Sequence, residues 1–432
     1  MPEHPPADGL TAAVPRQLPA PGPDPGAARV AMVAGLEEEG ALRPGPVRDA
    51  LLDIPREVLM PQGYARRTEV DELPVQWQLL DWSVPADRAE YLEVLHCGES
   101  VLIQHDGEPI LGREAGVRRT GGTMTSMSSG MFMTAVVMEQ LGLRPGLRVA
   151  DMGTGTAVTC AIASHICGDR NVVSIDRDPH VTEAACHHLA ALGVHPTLVT
   201  GNGESGWIER APFDRIFASY SLARVPAPWL EQLAPGGTAL LHLTTGSPSW
   251  PGLATITKQV NGQATGTFRP VRYGHRAGHG LEWIFLKKSF RDRIQAGEGA
   301  AVSHSRQTPP PDTAAGFWLA LNFLNPGLVR NGGAEHLVIG APACGSWISA
   351  RPDNAGGWEV TADGPRDIWQ EIQHTATLWK AAGHPGAYQL RFEGDGQQRL
   401  TAGAGRRELA WALPSVPSAV DAAAVLDKGV DA

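Results

Sequence analysis

Residues 147–157 read Leu-Arg-Val-Ala-Asp-Met-Gly-Thr-Gly-Thr-Ala, and they are the most informative part of the chain. An apolar strand ends at Asp151, the chain turns on Gly153 and Gly155, and a helix is predicted to follow. Glycines at such a turn let backbone amides approach a ligand closely. Val158 stands where the G-x-G-x-x-G fingerprint of dinucleotide-binding proteins needs its third glycine. The turn therefore predicts a ligand site without identifying the ligand.

Two acidic residues favour one cofactor over another. Asp151 precedes the first glycine by two residues, and Asp176 ends the next predicted strand. An acid about 20 residues beyond the glycines suits a pair of ribose hydroxyls. A carboxylate at the turn suits a cationic ligand and would repel a pyrophosphate. The pair therefore favours S-adenosylmethionine over NAD, and the alternative for each acid is a cap or turn carboxylate.

The composition restricts the class of protein. The 432 residues are 42% hydrophobic and 19% charged, with a formal net charge of −10, which argues against a nucleic-acid partner. The length allows two domains, or one domain with large additions. No apolar run is long enough for a membrane helix or a signal peptide. The five scattered cysteines contain no C-x-x-C pair, and they predict reduced thiols in a cytoplasmic protein.

Predicted strands and helices alternate along the middle of the chain. Strands are predicted at 147–151, 171–176, 196–200, 213–218 and 237–243, and helices at 131–141, 157–167, 179–192 and 226–233. This rhythm predicts the α/β class, with a doubly wound, mostly parallel sheet. A hydroxyl-rich loop is expected at 123–130, and a further strand at 281–287.

Five sequence blocks, in this order and spacing, resemble the protein-L-isoaspartate O-methyltransferases. They cover roughly residues 45–245. The blocks are Asp53-Ile54-Pro55-Arg56-Glu57 with Met60-Pro61, the hydroxyl-rich stretch 123–130, residues 143–155, Gly201-Asn202-Gly203 with 211–216, and Val225-Pro226 with 231–237. The resemblance implies a Rossmann-like class I methyltransferase sheet behind an N-terminal helical segment. It also implies S-adenosyl-L-methionine as cofactor and S-adenosyl-L-homocysteine as product.

The chain departs from the family pattern at three places. The loop that usually reads Ser-Gln-Pro or Ser-Ala-Pro is Ser129-Gly130-Met131. The usual Gly-Asp-Gly contains Asn202, and the final motif glycine is Ala157. The altered loop puts the usual isoaspartyl substrate in question. The order of elements and the extra C-terminal domain resemble relatives that methylate an aspartate of a constrained, ribosomally made peptide, such as lanthipeptide or lasso-type precursors.

The resemblance and the composition together divide the chain into five parts. The expected parts are a disordered Pro-rich tail at 1–27, a methyltransferase domain at 28–295, a linker at 296–313, an accessory α+β domain at 314–413 and a flexible tail at 414–432. Beyond the linker, the apolar surface expected to give the accessory domain its own core comes from Trp318, Trp347, Trp358, Trp369 and Trp379.

The resemblance implies three groups of site residues. The catalytic group is Ser129, with Ser128 and Thr125 as neighbours, whose hydroxyls would hold one oxygen of the acceptor carboxylate. The cofactor group is Asp151, Gly153, Thr154, Gly155, Thr156, Asp176, Arg177, Asn202, Gly203 and Glu204. The substrate group is Ser126, Ser219, Tyr220 and Ser221. The alternative for the serines is an ordinary N-cap before helix 131–141, and for Asn202 and Gly203 a plain turn.

No metal site is expected. His275 and His279 have a spacing that a metal could use, but no third ligand is placed nearby, and a loop is the simpler interpretation. The leading hypothesis is a monomeric peptide aspartate methyltransferase, whose ester product closes to a succinimide that opens to aspartate or isoaspartate. The alternatives are a repair enzyme that methylates isoaspartate in damaged proteins and a catalytically silent cofactor-binding adaptor.

Overall fold

The computed structural model describes residues 23–415 except 70, 71, 73, 245–248, 250, 272–287, 298, 332–335 and 404. The strand predicted at 281–287, together with His275 and His279, lies outside the described residues. The described strands form one ten-stranded sheet and two five-stranded sheets. No helix among the described residues is long and apolar enough to cross a membrane.

The N-terminal part consists of short helices and a small antiparallel sheet. The helices are α1 (Pro25–Glu38), α2 (Pro46–Asp53), α3 (Arg56–Leu59) and α4 (Arg88–His96). The strands, in the sheet order β4-β2-β1-β3-β5, are β1 (Gln62–Arg66), β2 (Gln76–Asp81), β3 (Val101–His105), β4 (Arg118–Thr120) and β5 (Met124–Ser128). Helix α1 begins inside the predicted tail 1–27, because Pro25 occupies its first turn and the Asp24 side chain accepts a hydrogen bond from the Gly26 amide.

The middle of the chain forms the predicted doubly wound sheet. Its helices are α5 (Met131–Leu141), α6 (Val158–Cys167), α7 (Pro179–Ala191) and α8 (Ala227–Gln232). Its strands are β6 (Val149–Met152), β7 (Val172–Asp176), β8 (Thr197–Thr200), β9 (Phe213–Leu222), β10 (Leu233–Leu243), β11 (Gly252–Lys258) and β12 (Ala264–Pro270). Strands β8, β7, β6, β9 and β10 are parallel neighbours in that order, and β11 and β12 continue the sheet antiparallel. The predicted α/β class is confirmed.

The C-terminal part builds one new sheet and extends the main one. Its helices are α9 (Lys288–Ala296), α10 (Ala315–Leu324) and α11 (Ile368–Ala381). Its strands are β13 (Ala301–Ser305), β14 (Val329–Asn331), β15 (Leu337–Ala341), β16 (Ser346–Pro352), β17 (Trp358–Asp363), β18 (Tyr388–Phe392), β19 (Gln398–Ala402) and β20 (Leu409–Ala412). Strands β13 to β17 form the second five-stranded sheet, whereas β18 pairs with β12 and brings β19 and β20 into the main sheet.

The core of the C-terminal part differs from the expectation of a separate core. Trp318, Trp358 and Trp379 belong to the same buried cluster as Ile216 and Leu241 of the main sheet. They meet because β18 extends that sheet and α10 packs against β12. Part of the expected linker is also ordered, since residues 301–305 pair with β17. The boundaries 28–295 and 314–413 stay predictions, and the parts they separate share a sheet and a core.

The expected loop at 123–130 is mostly the edge strand β5. Its side chains alternate between buried and half-buried positions, as expected of a strand with one face on a core. Met124, Ser126 and Ser128 are the buried positions, and Thr125 and Met127 lie between them. The abundance of hydroxyls concealed this alternation in the sequence. Strand β5 ends directly before α5, so its last residues reach the carboxyl edge of the main sheet.

Candidate cofactor and acceptor site

The turn between β6 and α6 needs glycine at two positions. Gly153 and Gly155 have φ angles of 94° and 50°, a region that disfavours residues with a Cβ atom. A Cβ on Gly153 would lie 2.7 Å from the Ser219 hydroxyl oxygen, and one on Gly155 would lie 3.1 Å from the carbonyl oxygen of Met127. The turn is therefore pressed between β9 and β5. Ala157 caps α6 in the same left-handed region, with φ at 61°.

Asp151 lies beneath this turn and does not line the cavity that the turn borders. It is fully buried, and its carboxylate accepts hydrogen bonds from the hydroxyls of Ser174 at 2.8 Å and Thr159 at 3.4 Å. Thr154, also buried, shares a 2.7 Å hydrogen bond with Ser174. Its predicted direct contact with the cofactor stays a prediction, and its partner Ser174 links it to Thr154 of the turn. Burial raises the pKa of Asp151 to about 7.

We expect the Asp151→Asn variant to lose part of the pH dependence of stability. Because the folded protein binds this proton more tightly than the unfolded chain, whose aspartate titrates near ~3.9, the contribution of Asp151 to the unfolding free energy is present below about pH 4 and is lost as pH rises towards about 7. Urea denaturation at about pH 5 and about pH 7.5 should therefore show the variant gaining stability relative to the native protein at the higher pH. A difference that stays constant between the two pH values would contradict this role.

Asp176 ends β7 and lines the cavity. Its Oδ2 accepts a 3.1 Å hydrogen bond from the Gly155 amide, and its Oδ1 accepts one of the same length from the Asp178 amide. Burial raises the pKa of this carboxyl group, and the two amides oppose the rise. A carboxylate offers about four acceptor positions, so two remain for a ligand. Asp176 can therefore be a turn carboxylate, which was the alternative given by the sequence, and also have positions left to contact the cofactor.

A cavity of about 640 Å³ lies at the carboxyl ends of β6, β7 and β9, where ligands bind in doubly wound sheets. Its volume is within the range of ligand sites. The predicted residues that line it are Thr125, Ser126, Ser129, Gly153, Gly155, Asp176, Arg177, Asn202, Gly203, Glu204, Ser219, Tyr220 and Ser221. Four predicted residues do not line it, namely Ser128, Asp151, Thr154 and Thr156. These four residues are buried. Ser128 lies on β5, Asp151 on β6, and Thr154 and Thr156 in the glycine turn.

Ten lining residues were not predicted from the sequence. They are Gly107, Met127, Ile175, Asp178, Val181, Leu222, Ala223, Arg224, Pro414 and Ser415. Asp178 carried a signal, since an acid before a proline is a typical N-cap, and its Oδ1 accepts a 2.8 Å hydrogen bond from the His180 amide. Pro414 and Ser415 carried none, because they come from the C-terminal part and reach the cavity only through the tertiary structure.

The segment after β8 closes one end of the cavity. Asn202 caps a short 3₁₀ turn at 203–205 by accepting a 3.0 Å hydrogen bond from the Glu204 amide. The Gly203 carbonyl accepts a 2.8 Å hydrogen bond from the indole of buried Trp229. A Cβ on Gly203 would lie 2.7 Å from the Tyr220 hydroxyl oxygen, so a larger residue here would displace the Tyr220 side chain. The plain-turn alternative for Asn202 is realised, and the turn borders the cavity.

The hydroxyls at the end of β5 have different surroundings. Ser129 lines the cavity, while the Ser128 hydroxyl donates to the Ser129 carbonyl at 3.2 Å and accepts from the buried Arg56 guanidinium at 3.4 Å. The N-cap residue of α5 is Gly130, and no side chain caps that helix. The N-cap alternative for the serines is therefore not adopted. Ser129 faces the cavity and Ser128 holds its backbone.

Strand β9 places a further hydroxyl at the cavity. Ser219 donates a 2.7 Å hydrogen bond to the Gly153 carbonyl, whereas the buried Ser221 hydroxyl has no hydrogen-bond partner among the described residues. His242 lies beside Ser221 in the parallel register, and its Nε2 likewise has no partner in the described part of the chain. Burial lowers the pKa of His242 to about 4, so its ring is neutral near pH 7. The Ser221 hydroxyl is therefore buried beside a neutral imidazole and unpaired within the described structure.

Within the described ranges, no group of three or more His, Cys, Asp or Glu side chains is arranged to hold a metal ion. The cavity instead offers glycine turns, carboxylates and hydroxyls. The carboxylates of such a set can accept the hydroxyls of a ribose, and its hydroxyls can donate to an acceptor carboxylate.

Comparison with known proteins agrees with this architecture. The family described as Protein-L-isoaspartate(D-aspartate) O-methyltransferase matches residues 119–272. Protein-L-isoaspartate O-methyltransferase 1 of Archaeoglobus fulgidus is 39% identical over 117 residues, which cover 27% of this chain and 54% of that protein. The enzyme of the same name from Ignicoccus hospitalis is 31% identical over 147 residues, covering 34% of this chain and 69% of that protein.

A longer alignment and a solved structure extend the comparison. The Pyrococcus abyssi relative is 28% identical over 230 residues, covering 53% of this chain and 84% of its own length. A solved protein-L-isoaspartate O-methyltransferase is 19% identical, with 89% of this chain and 99% of that chain covered at a TM-score of 0.43. This chain spans only 54% and 58% of the length of the A. fulgidus and Methylorubrum populi relatives. The family match at 119–272 contains the glycine turn, β5 and the 3₁₀ turn of the cavity. With a relative that is 31% identical and covered over 69% of its length, the chain belongs to the protein-L-isoaspartate O-methyltransferase family.

Proposed function

We propose that this protein is an S-adenosylmethionine-dependent carboxyl O-methyltransferase that methylates an aspartate side chain of a constrained, ribosomally made peptide. The observation that carries the proposal is one cavity that joins Asp176 and the glycine turn to the Ser129 hydroxyl. The residues fit the cofactor, because Gly153, Gly155 and Gly203 leave no room for side chains and Asp176 retains acceptor positions for a ribose.

The chemistry needs positioning more than proton transfer. S-adenosylmethionine supplies, when bound, a methyl group on a sulfonium. A carboxylate oxygen forms the new O–CH₃ bond as the S–CH₃ bond breaks, and the electron pair leaves with S-adenosyl-L-homocysteine. An ordinary aspartate, with a pKa of about 3.9, is already ionised at neutral pH, so no general base is required. The protein must hold the carboxylate in line and exclude water.

Ser129 suits the positioning of an acceptor. It lines the cavity, with its backbone held through Ser128. Its hydroxyl can donate to one carboxylate oxygen without adding negative charge. After transfer, the backbone amide of the next substrate residue can attack the ester, and methanol leaves as a succinimide forms. Hydrolysis of that ring yields aspartate and isoaspartate, and neither step needs this enzyme.

The C-terminal part supports a peptide substrate because it contributes to the acceptor cavity. Pro414 and Ser415 line the cavity beside Arg224. The Arg224 guanidinium donates to the carbonyls of Pro414 at 3.3 Å and Gly396 at 2.8 Å. The buried Gln398 amide holds Val225 through both of its backbone groups, at 2.9 and 2.7 Å. The added C-terminal residues therefore shape the loop after β9.

Replacing Arg224 with methionine is expected to raise KM for the acceptor peptide about 5- to 10-fold, because two hydrogen bonds from a charged donor to this wall are lost. The Kd for S-adenosyl-L-homocysteine, measured by calorimetry, should change less than about twofold, because these hydrogen bonds lie outside the glycine turn. Arg391→Met, an exposed arginine on β18 outside the cavity lining, is the matched control. An unchanged KM would show that Pro414 and Ser415, the cavity residues from the C-terminal part, do not belong to the acceptor site.

Repair of isoaspartate in damaged proteins is the second candidate, because the relatives that match this chain carry that enzyme name. A cofactor-binding adaptor is the third, suggested by the altered Ser129-Gly130-Met131 sequence. For all three we propose a monomer in the cytoplasm, without nucleic-acid or membrane partners. The five cysteines, all within the described residues, are free thiols, which agrees with a reducing compartment.

One experiment separates the three candidates. The protein is incubated with S-adenosylmethionine and paired synthetic peptides, linear and cyclised, that contain either aspartate or isoaspartate, and mass is followed. We expect one methyl group on the cyclised aspartate peptide, followed by loss of methanol. Methylation of isoaspartate alone would contradict peptide tailoring and favour repair. Cofactor binding without methylation of any of these peptides would favour the adaptor.

A further inference from the structure

Gln104 on β3 connects two residues of the cavity lining, Asp178 and Thr125, through a buried side-chain amide. The residue is 1% exposed. Its Nε2 donates to the Asp178 carboxylate at 2.9 Å and to the Glu108 carbonyl at 3.0 Å. Its Oε1 accepts a 2.7 Å hydrogen bond from the Thr125 hydroxyl. The orientation of the amide is determined chemically, since a carboxylate and a carbonyl only accept and must therefore face the NH₂ group.

The bonds of Gln104 continue on both sides into the cavity lining. Asp178, which lines the cavity, donates its amide to Asp176 at 3.1 Å. Thr125, which also lines it, accepts a 3.0 Å hydrogen bond from the Gly107 amide. A continuous hydrogen-bonded path therefore runs from the predicted ribose acid to a hydroxyl of the β5 strand. Asp178 and Gln104 are 74 residues apart in sequence, so no local pattern announces the contact.

The path also determines what Thr125 can offer a ligand. A hydroxyl has one proton and two lone pairs. The proton of Thr125 is donated to Gln104, and one lone pair accepts from Gly107. Thr125 is left with one lone pair, which can accept a hydrogen bond from a donor such as a peptide N–H. It has no proton left to donate to a carboxylate. This separates Thr125 from Ser129, although the sequence groups them.

We propose that Gln104 is a positioning residue, which aligns the Asp176–Asp178 turn with Thr125 and makes Thr125 an acceptor for a donor group of the peptide substrate. The inference about Thr125 rests on the proposed function. The alignment of the Asp176–Asp178 turn does not, because it can be measured by cofactor-product binding without any acceptor. Only an amide supplies both the donor that Asp178 needs and the acceptor that Thr125 needs.

The test is a pair exchange read by calorimetric binding of S-adenosyl-L-homocysteine. Gln104→Glu would place two carboxylates at the 2.9 Å contact, where they repel each other when both are ionised. Asp178→Asn would place its own NH₂ group against the NH₂ group of Gln104, while its side-chain oxygen still caps α7. We expect each single variant to bind about tenfold more weakly at about pH 8. The double variant Gln104→Glu/Asp178→Asn restores the donor and acceptor at the Asp178 contact and leaves only the Glu108 carbonyl without its donor, so it should bind within about threefold of the native protein.

A pH comparison distinguishes positioning from general damage. At about pH 6 a proton shared by the two carboxylates should return Gln104→Glu to within about threefold of native affinity, whereas Asp178→Asn should stay weak. The native protein and all three variants contain the same ionisable side chains near this contact in the sequence, namely His105, Asp106, Glu108, Asp176, Arg177 and His180. Affinities are therefore expressed relative to the native protein at each pH, and urea denaturation confirms folding. If Gln104→Glu does not fold, Asp178→Asn with the double variant still tests the exchange.

Three results would overturn the proposal. They are native-like binding by both single variants at about pH 8, an equal loss for Gln104→Glu at both pH values, and a double variant no better than the singles. The role of Thr125 is tested separately with the peptide that the native enzyme methylates. Thr125→Val should raise KM about tenfold with kcat within about twofold, and Thr125→Ser should restore it. A loss confined to kcat would contradict the acceptor role, and failure of all peptides with the native enzyme would count against the proposed function alone.

Discussion

Ser129→Ala is expected to lower kcat about 100- to 1000-fold, the usual effect of removing one preorganised donor from a reacting centre. Ser129 lines the cavity, and its hydroxyl would hold one oxygen of the acceptor carboxylate so that the other meets the methyl group in line. Affinity for S-adenosyl-L-homocysteine should stay within about twofold, because the carboxylate of Asp176 and the glycine turn are untouched. Turnover is measured by mass on the methylated peptide.

Ser128→Ala is the matched comparison for this prediction. Its hydroxyl bonds the Ser129 carbonyl and the Arg56 guanidinium and does not line the cavity. We therefore expect a loss of kcat below about tenfold, which reflects a looser backbone at Ser129. Equal losses in the two variants would assign the effect to the strand rather than to the Ser129 hydroxyl. Loss of cofactor affinity in Ser129→Ala would refute its placement at the acceptor.

Asp176→Asn is expected to weaken binding of S-adenosyl-L-homocysteine about 10- to 100-fold, which corresponds to the about 1.5–3 kcal/mol of a hydrogen bond to a charged group. The carboxylate already accepts the amides of Gly155 and Asp178, and we propose that its remaining lone pairs accept the ribose hydroxyls of the cofactor. An asparagine keeps one acceptor oxygen but presents an NH₂ group where the second oxygen was. It thereby opposes either the backbone amide or the ribose hydroxyl.

Calorimetry with S-adenosyl-L-homocysteine measures this effect without an acceptor peptide. Asp169→Asn is the matched control, because Asp169 also accepts a backbone amide, that of His195, and lies outside the cavity lining. It should bind like the native protein. Binding by Asp176→Asn within about twofold of the native affinity would reduce Asp176 to a turn carboxylate and remove the main support for the cofactor proposal.

The local part of the site was predictable because it depends on residues close together in sequence. Gly153 and Gly155 follow a buried strand, and Asp176 ends the next one, so the period of apolar residues places all three at one sheet edge. The same reasoning placed Asp151 in the cofactor site, and the structure places it below the turn. Sequence position indicates which strand end a residue occupies, but the twist of the turn decides which way its side chain points.

The distribution of hydroxyls along β5 was not predictable for a similar reason. Ser128 and Ser129 look equivalent in the sequence, yet one holds the backbone and the other lines the cavity. The alternation of β5 becomes visible only when β3 pairs with it and buries one face.

The sequence by itself determined the α/β sheet, the glycine turn and the acid at the end of β7, because local spacing and hydrophobic period specify them. Only the tertiary structure decided that Gln104 bridges Asp178 and Thr125, and that Pro414 and Ser415 complete the cavity. It also decided that β18 to β20 extend the methyltransferase sheet. These contacts join residues far apart in the chain, and they depend on which strand edges pair and which apolar faces are buried together.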